Sequence, residues 1–371
     1  MREKIERVEV FGVALPLVGG GFKNAYVTKT VQKSAVVRIT SASGAVGLGN
    51  IDPSPGYSVE TIDQSLRALR GSLADAVAGR DALNVHAILE RLDGCMAGFH
   101  DAKAAIEMAC VDLASRAYGV PVSTYLGGAL RHEFLFNAWI GIVPPHEAAA
   151  EARKWFDRGF RSAKIKVGGN VEADRERVKA VREAVGDEMA LRIDANAGYD
   201  VETSIKLARL MQPFELQLIE QPVAAHDIAG LARVRREAGG VPIMADEAIV
   251  DHRTLVEVIR AGAADIVKLK VMKNGGFLRT QRMAATAEAA GIRVVIGHGF
   301  GLGVNTLAEI QFASTSMNVL DGLECVGPLK TTDDITTEKL DLSSGRLSLQ
   351  FTAPGLGATL DEAKLERYRF H

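Results

Sequence analysis

The chain has 371 residues, 47% of them hydrophobic and 24% charged, with a formal net charge of −2. So balanced a surface has no general attraction for polyanions or acidic membranes, and neither nucleic acid nor a membrane is an expected partner. The length exceeds one ordinary core, and no apolar run reaches bilayer length, so two domains, or one barrel with an attachment, are expected.

Met1-Arg2-Glu3-Lys4 is charged and leads straight into a strand pattern, unlike a secretory signal. Cys95, Cys110 and Cys325 are odd in number and lack CxxC spacing, which suggests a reducing, cytoplasmic setting without disulfides. Residues 8–13, 34–40 and 45–49 read as strands. Between the first two lies a glycine-rich stretch, residues 19–26, that suits either a linker or an active-site lid. Residues 52–57 form a second loop, stiffened by prolines. The pattern then turns helical, most clearly at residues 100–118, where an apolar stripe ends at Gly119-Val120-Pro121. Residues 1–130 therefore read as an α+β unit.

From residue 131 the rhythm changes. Strand-like runs occur at 134–140, 163–167, 191–195, 216–220, 242–246, 266–269, 293–297 and 323–326, with helical patterns between most of them. That alternation implies parallel strands with right-handed crossovers. Eight such runs predict an α/β fold, a closed (β/α) barrel over residues 131–329. An open doubly wound sheet would more often show GxGxxG after an early strand, and none is present. The tail, residues 330–371, carries an alternating run at 346–351 and a polar helix at 361–368, and is expected to return to the N-terminal unit.

Active sites of such barrels lie at the C-terminal strand ends. There the second run carries Lys164 and Lys166 on one face. Alone they would suit a solvated edge strand. The next three runs end in Asp194, Glu220 and Asp246, equally spaced because 220 − 194 and 246 − 220 both give 26. One acid at such a place is commonly a helix cap. Three in register repel one another, and a hard divalent cation, Mg²⁺ or Mn²⁺, removes the conflict. The sixth run adds Lys268 and Lys270, with Lys273 just beyond. Lys268 and Lys273 also suit plain partners for nearby acids. A lysine becomes a base when a cation or a second lysine depresses its pKa. Lysines on both sides of a metal-bound carboxylate suit abstraction of the proton α to that carboxylate, with the metal stabilising the enediolate.

These motifs resemble the muconate lactonizing enzyme (muconate cycloisomerase) subgroup of the enolase superfamily over nearly the whole chain. The resemblance rests on Lys164-Ile165-Lys166, Asp194-Ala195-Asn196, Glu220-Gln221-Pro222, Asp246-Glu247 and Leu269-Lys270-Val271-Met272-Lys273-Asn274-Gly275-Gly276. It implies a (β/α)₇β barrel under a capping domain built from both chain regions. It implies Asp194, Glu220 and Asp246 as ligands of one Mg²⁺ or Mn²⁺, Lys166 and Lys270 as the acid/base pair, and Lys164 as their electrostatic helper. It implies that the loops at 19–26 and 52–57, with Tyr26 and Tyr57, close over a small carboxylate substrate, and that the protein is a homo-oligomer. Asn196, His298 and Glu324 are further expected substrate contacts. For His298 a rim hydrogen bond is an equal alternative. Glu324 fits the cycloisomerase pattern, and Leu323-Glu324-Cys325-Val326 lacks the Asp-x-Asp pair usual in dipeptide epimerases. A cycloisomerase-like reaction is therefore expected, with racemisation or epimerisation of amino-acid derivatives, or acid dehydration, as alternatives. A non-catalytic binding protein on the same fold is the alternative of a different class.

Overall fold

The computed structural model describes residues 2–23 and 28–370. Three antiparallel strands, Ile5–Pro16, Val31–Ser41 and Val46–Ile51, open the cap. The middle strand is covered on both faces: Val36 shares one with Val13 and Leu15, Ile39 shares the other with Ile51, and all five are fully buried. Residues Arg369–Phe370 join the same sheet, pairing with Gly12 and Val13.

The long cap helix, His100–Ala117, has no solvent face: every residue from Asp101 to Ser115 is buried. It lies unusually close to the strand Val46–Ile51. A Cβ on Gly47 would sit 2.0 Å from the Ala109 carbonyl oxygen, and one on Gly49 1.9 Å from that of Ala105. Only glycine permits that approach. Two buried carboxylates of this helix tie distant segments to it. Asp112 accepts from the Leu48 and Leu356 amides at 2.8 and 2.6 Å. Glu107 accepts from Phe277 and Leu278, both at 2.8 Å, and so caps the helix Phe277–Ala289 of the barrel.

Seven parallel strands form the barrel in chain order: Ala138–Ile140, Ser162–Lys166, Ala190–Asp194, Leu218–Glu220, Ile243–Ala245, Ile266–Leu269 and Arg293–Ile296. A helix follows each, from Pro145–Asp157 to Gly303–Ser314. The eighth position holds a single parallel bridge, Phe136 to Leu323, rather than the strand expected at 323–326. Leu323 donates to Leu135 O and accepts from Asn137 N, while Glu324 donates to Ile296 O, which closes the (β/α)₇β barrel. The run at 134–140 is correspondingly split. Glu133–Leu135 forms an antiparallel ribbon with Arg346–Ser348, and the chain enters the barrel only at Ala138. Leu218, Met244, Ile266 and Val295 make a small apolar plug inside the barrel. The main core lies between barrel, helices and cap. Among the described residues, no helix is long and apolar enough to cross a membrane.

Candidate active site

The strand Ser162–Lys166 is flanked on both sides, which removes the edge-strand reading of its lysines. In register, Lys166 stands beside Asp194 and Asp194 beside Glu220. Glu220 pairs with Met244, so Asp246 lies two residues further along its strand. Parallel pairing thus turns an equal sequence spacing into adjacent carboxylates at one end of the barrel.

The lysines interleave with these acids. Lys166 Nζ lies 2.6 Å from Asp194 Oδ2 and 2.7 Å from Asn196 Oδ1. Lys164 Nζ reaches Glu324 at 2.5 Å, Glu220 at 3.0 Å and Asp194 at 3.3 Å. Lys268 pairs with Glu220 at 3.2 Å and, more closely, with Glu324. Lys270 holds both oxygens of Asp246, and Lys273 donates to the Asp246 backbone oxygen at 2.8 Å. Gln221 fixes the same segment, accepting from the Asp246 and Ala248 amides at 3.0 and 3.1 Å.

Burial and charge set the protonation states. Glu220 is pushed up to about 8 by burial and then by Asp194, against the pull of Lys164 and Lys268. Burial also pushes Asp194 and Asp246 up, but the surrounding lysines outweigh it and hold both below the ordinary carboxylate range. Lys270 is pulled to about 8 by burial, opposed by Asp246 and helped by Lys273 and Lys268. Burial lowers Lys164 too, yet Glu220, Glu324 and Asp194 win and hold it well above its usual value. Lys164 is therefore a firm cation, and its first electrostatic task is neutralising three acids.

Among the described residues, no three His, Cys, Asp or Glu side chains converge as a ligand cluster, because Asp246 turns to Lys270 and Lys273. The donor set still fits a hard cation. Asp194, Glu220 and Asp246 offer only oxygen, sit on adjacent strand ends and are nearly or wholly buried. Glu220 in particular shows the like-charge conflict that a cation relieves.

Asn196, at φ 45°, donates to Glu247 at 3.1 Å while accepting from Lys166. Tyr57 lies with its ring centre 4.7 Å from Lys270 Nζ and donates to the Asp52 carbonyl at 3.2 Å. Tyr26 lies outside the described residues. Both nitrogens of His298 are taken: Nε2 by Asp52 at 2.6 Å and Nδ1 by Glu309 at 3.2 Å. Glu324 is likewise engaged, by Lys164, Lys268 and Arg192. Arg192 escaped sequence reasoning although it shares a strand face with Asp194; period-two alternation alone places it there. Trp139, Phe300 and Lys330 also escaped it. They wall the cavity, of about 70 Å³, that Lys164, Lys166, Asp194, Glu220, Asp246, Lys268, Lys270 and Glu324 also line.

Comparison with known proteins gives one consistent answer. The family described as "Mandelate racemase / muconate lactonizing enzyme, N-terminal domain" matches residues 7–127. That described as "Enolase C-terminal domain-like" matches residues 147–364. The N-succinyl-L-Arg/Lys racemase of Bacillus cereus is 32% identical, over 98% of this chain and 97% of its own. Its crystal structure superposes with a TM-score of 0.95, covering 99% of this chain and 98% of that one. Muconate cycloisomerase 1 of Pseudomonas putida is 33% identical, over 98% of each chain. A dipeptide epimerase from Enterococcus faecalis, solved with Mg and the dipeptide L-Leu-L-Tyr, is 31% identical, covers 96% of this chain and 99% of its own, and gives a TM-score of 0.91.

Proposed function

The chain belongs to the mandelate racemase/muconate lactonizing enzyme family of the enolase superfamily, and from that premise we propose that it moves the proton α to a substrate carboxylate between Lys166 and Lys270. The reaction best supported is racemisation or epimerisation of an N-acylated amino acid. The observation that carries it is the pair of lysines, on the second and sixth strands, bordering one cavity from opposite sides of its carboxylates. Two bases on opposite faces of one carbon are what inversion of that carbon requires.

In this reading Asp194, Glu220 and Asp246 hold one divalent cation, Mg²⁺ or Mn²⁺. When bound it takes up negative charge that develops on the substrate carboxylate. One of the two lysines, as the free amine, receives the α-proton, and the ammonium of the other returns one to the opposite face; the reverse reaction exchanges the roles. Lys164 stays charged, pins Asp194 and Glu220, and adds a fixed positive field beside the developing enediolate. Asn196 orients Lys166 through its side-chain oxygen. Tyr57 and the 52–57 loop exclude water above Lys270.

Proton NMR in D₂O on a panel of carboxylates, N-acyl amino acids included, tests the reading. The wild type is expected to wash deuterium into the α-position. Lys166→Ala and Lys270→Ala each lose about 10²–10⁴-fold in racemisation and keep exchange on one enantiomer only. Full racemisation by either variant would overturn the assignment. A second reading, cycloisomerisation, is supported by Glu324: at the eighth position it is enclosed by Lys164, Lys268 and Arg192 and offers no acidic pair to a substrate ammonium. Lactone formation from cis,cis-muconate, without α-exchange on any amino-acid derivative, would favour it.

A further inference from the structure

Behind Lys166, outside the catalytic cavity, lies a buried cluster that the reaction does not use. The helix Val171–Val185 follows the second barrel strand and is capped by Asn170, whose side chain accepts from the Ala173 amide at 2.8 Å. Asp174, in its first turn, is fully buried and has other partners. Its Oδ2 accepts from the Gly168 amide at 3.0 Å and from the Tyr199 hydroxyl, and its Oδ1 pairs with Arg177. Arg177, also buried, donates from Nε to the Val143 carbonyl at 2.7 Å and from Nη1 to the Lys166 carbonyl at 3.4 Å. Asp174, Arg177 and Tyr199 do not line the cavity.

The partners come from three consecutive strand ends. Val143 follows the first barrel strand, Lys166 and Gly168 end the second, and Tyr199 follows the third. The third turn is the most demanding. Asn196 and Ala197 both take left-handed backbone, φ 45° and 58°, which is uncommon for alanine. Such a turn persists where its surroundings fix it. Its near side puts Asn196 Oδ1 2.7 Å from Lys166 Nζ. Its far side ends on Tyr199, whose amide donates to the Pro222 carbonyl at 3.1 Å and whose hydroxyl donates to Asp174. Burial, and then Asp174, push that phenol above its usual value, so it stays a donor. Lys270 is supported separately. Its amide donates to Asn274 Oδ1 at 2.9 Å, and Asn274 donates to the Val250 carbonyl at 3.2 Å. The two supports share no residue.

We propose that Asp174 is a positioning residue for Lys166 and not for Lys270. It holds the base by its own strand end through Gly168 and by its neighbour Asn196 through Tyr199. Without it, Lys166 drifts from the α-carbon while Lys270 keeps its place, and a small misplacement costs rate steeply. The kinetic consequence rests on the two-lysine reading of the reaction; the anchoring does not.

The test follows deuterium wash-in separately for each enantiomer of the N-acyl amino acids in the panel. Lys166→Ala identifies the enantiomer whose proton Lys166 takes. Asp174→Asn is expected to slow wash-in on that enantiomer about ten- to hundred-fold and to leave the other within about two-fold. Tyr199→Phe, which removes one hydroxyl and no charge, shows the same selectivity at about three- to ten-fold. If Asp174→Asn does not fold, Tyr199→Phe decides alone. Equal loss on both enantiomers, as a general loosening of the barrel would give, overturns the proposal, and so does no loss on either. Hydrogen exchange of the Mg²⁺-loaded variants gives a second readout that needs no turnover. Amides of residues 166–170 and 196–199 exchange faster than in the wild type, and those of 270–276 do not. Faster exchange in all of these segments alike, or in none, overturns the anchoring. If the wild type washes deuterium into neither enantiomer, the two-lysine reading falls while hydrogen exchange still decides what Asp174 holds.

Discussion

Titration of His298 tests the ion triad that fastens the 52–57 loop to the barrel. Burial disfavours its charge, but Asp52 and Glu309 outweigh burial and push the imidazole from 6.5 up to about 9. A base whose folded pKa lies above its unfolded value stabilises the fold fully below about 6.5 and loses that contribution as pH rises through about 9. At 1.36 kcal/mol per pH unit, the interval between the two values is worth roughly 3 kcal/mol. Urea unfolding of wild type and His298→Gln between about pH 6 and pH 10 gives the difference at each pH, which cancels most other titrating groups. The wild-type advantage is expected to shrink by roughly 3 kcal/mol across that window. The imidazole protons, followed by NMR, should titrate near the upper end. A difference flat in pH, or an imidazole that titrates near 6.5, refutes the triad as an ionic clamp.

Three further outcomes are expected. Mg²⁺ at about a hundred times its dissociation constant raises stability by ~2.7 kcal/mol, read as a thermal shift, and Asp194→Asn removes most of that shift. Gly49→Ala drives a methyl into the Ala105 carbonyl oxygen and lowers stability by about 1–3 kcal/mol in denaturant titration. Glu107→Ala strips the Phe277 and Leu278 amides of their acceptor and costs about 1–3 kcal/mol, with faster amide exchange at the start of that helix.

The barrel and its chemistry were legible because both follow a local rule. Alternating strand and helix patterns set the topology, and parallel register converts the 26-residue spacing of the acids into neighbours. Lys268 shows where local rules stop. Its chemistry could be read as a base or as a partner, and only the fold brings Glu220 and Glu324 to it. His298 is similar: its partner Asp52 is 246 residues away, and nothing near either residue announces the pair. The eighth run misled because Leu323-Glu324-Cys325-Val326 has strand-like residues but is bounded by Gly322 and Gly327. Gly322, at φ 82°, turns the chain so that only Leu323 bridges to the first strand's approach. Lys164 was expected mainly to tune Lys166. Its three carboxylate partners give it a prior duty as counter-charge. Lys330 and Trp139 carry no motif, and only the fold brings them to the wall of the catalytic cavity.

The helix His100–Ala117 bears on how this protein can be recombined with its relatives. A hybrid joined between cap and barrel, near residue 130, would inherit Glu107 from one parent and the helix it caps, Phe277–Ala289, from the other. Asp112 would likewise face a foreign segment where Leu356 now donates to it. Each mismatch leaves a buried carboxylate or amide without its counterpart, a larger loss than most changes in lid sequence. Exchanging the loops at 19–26 and 53–57 crosses neither bond and leaves Asp52 in place against His298. Grafted loops, rather than whole swapped caps, are therefore the viable unit for altering what this scaffold accepts.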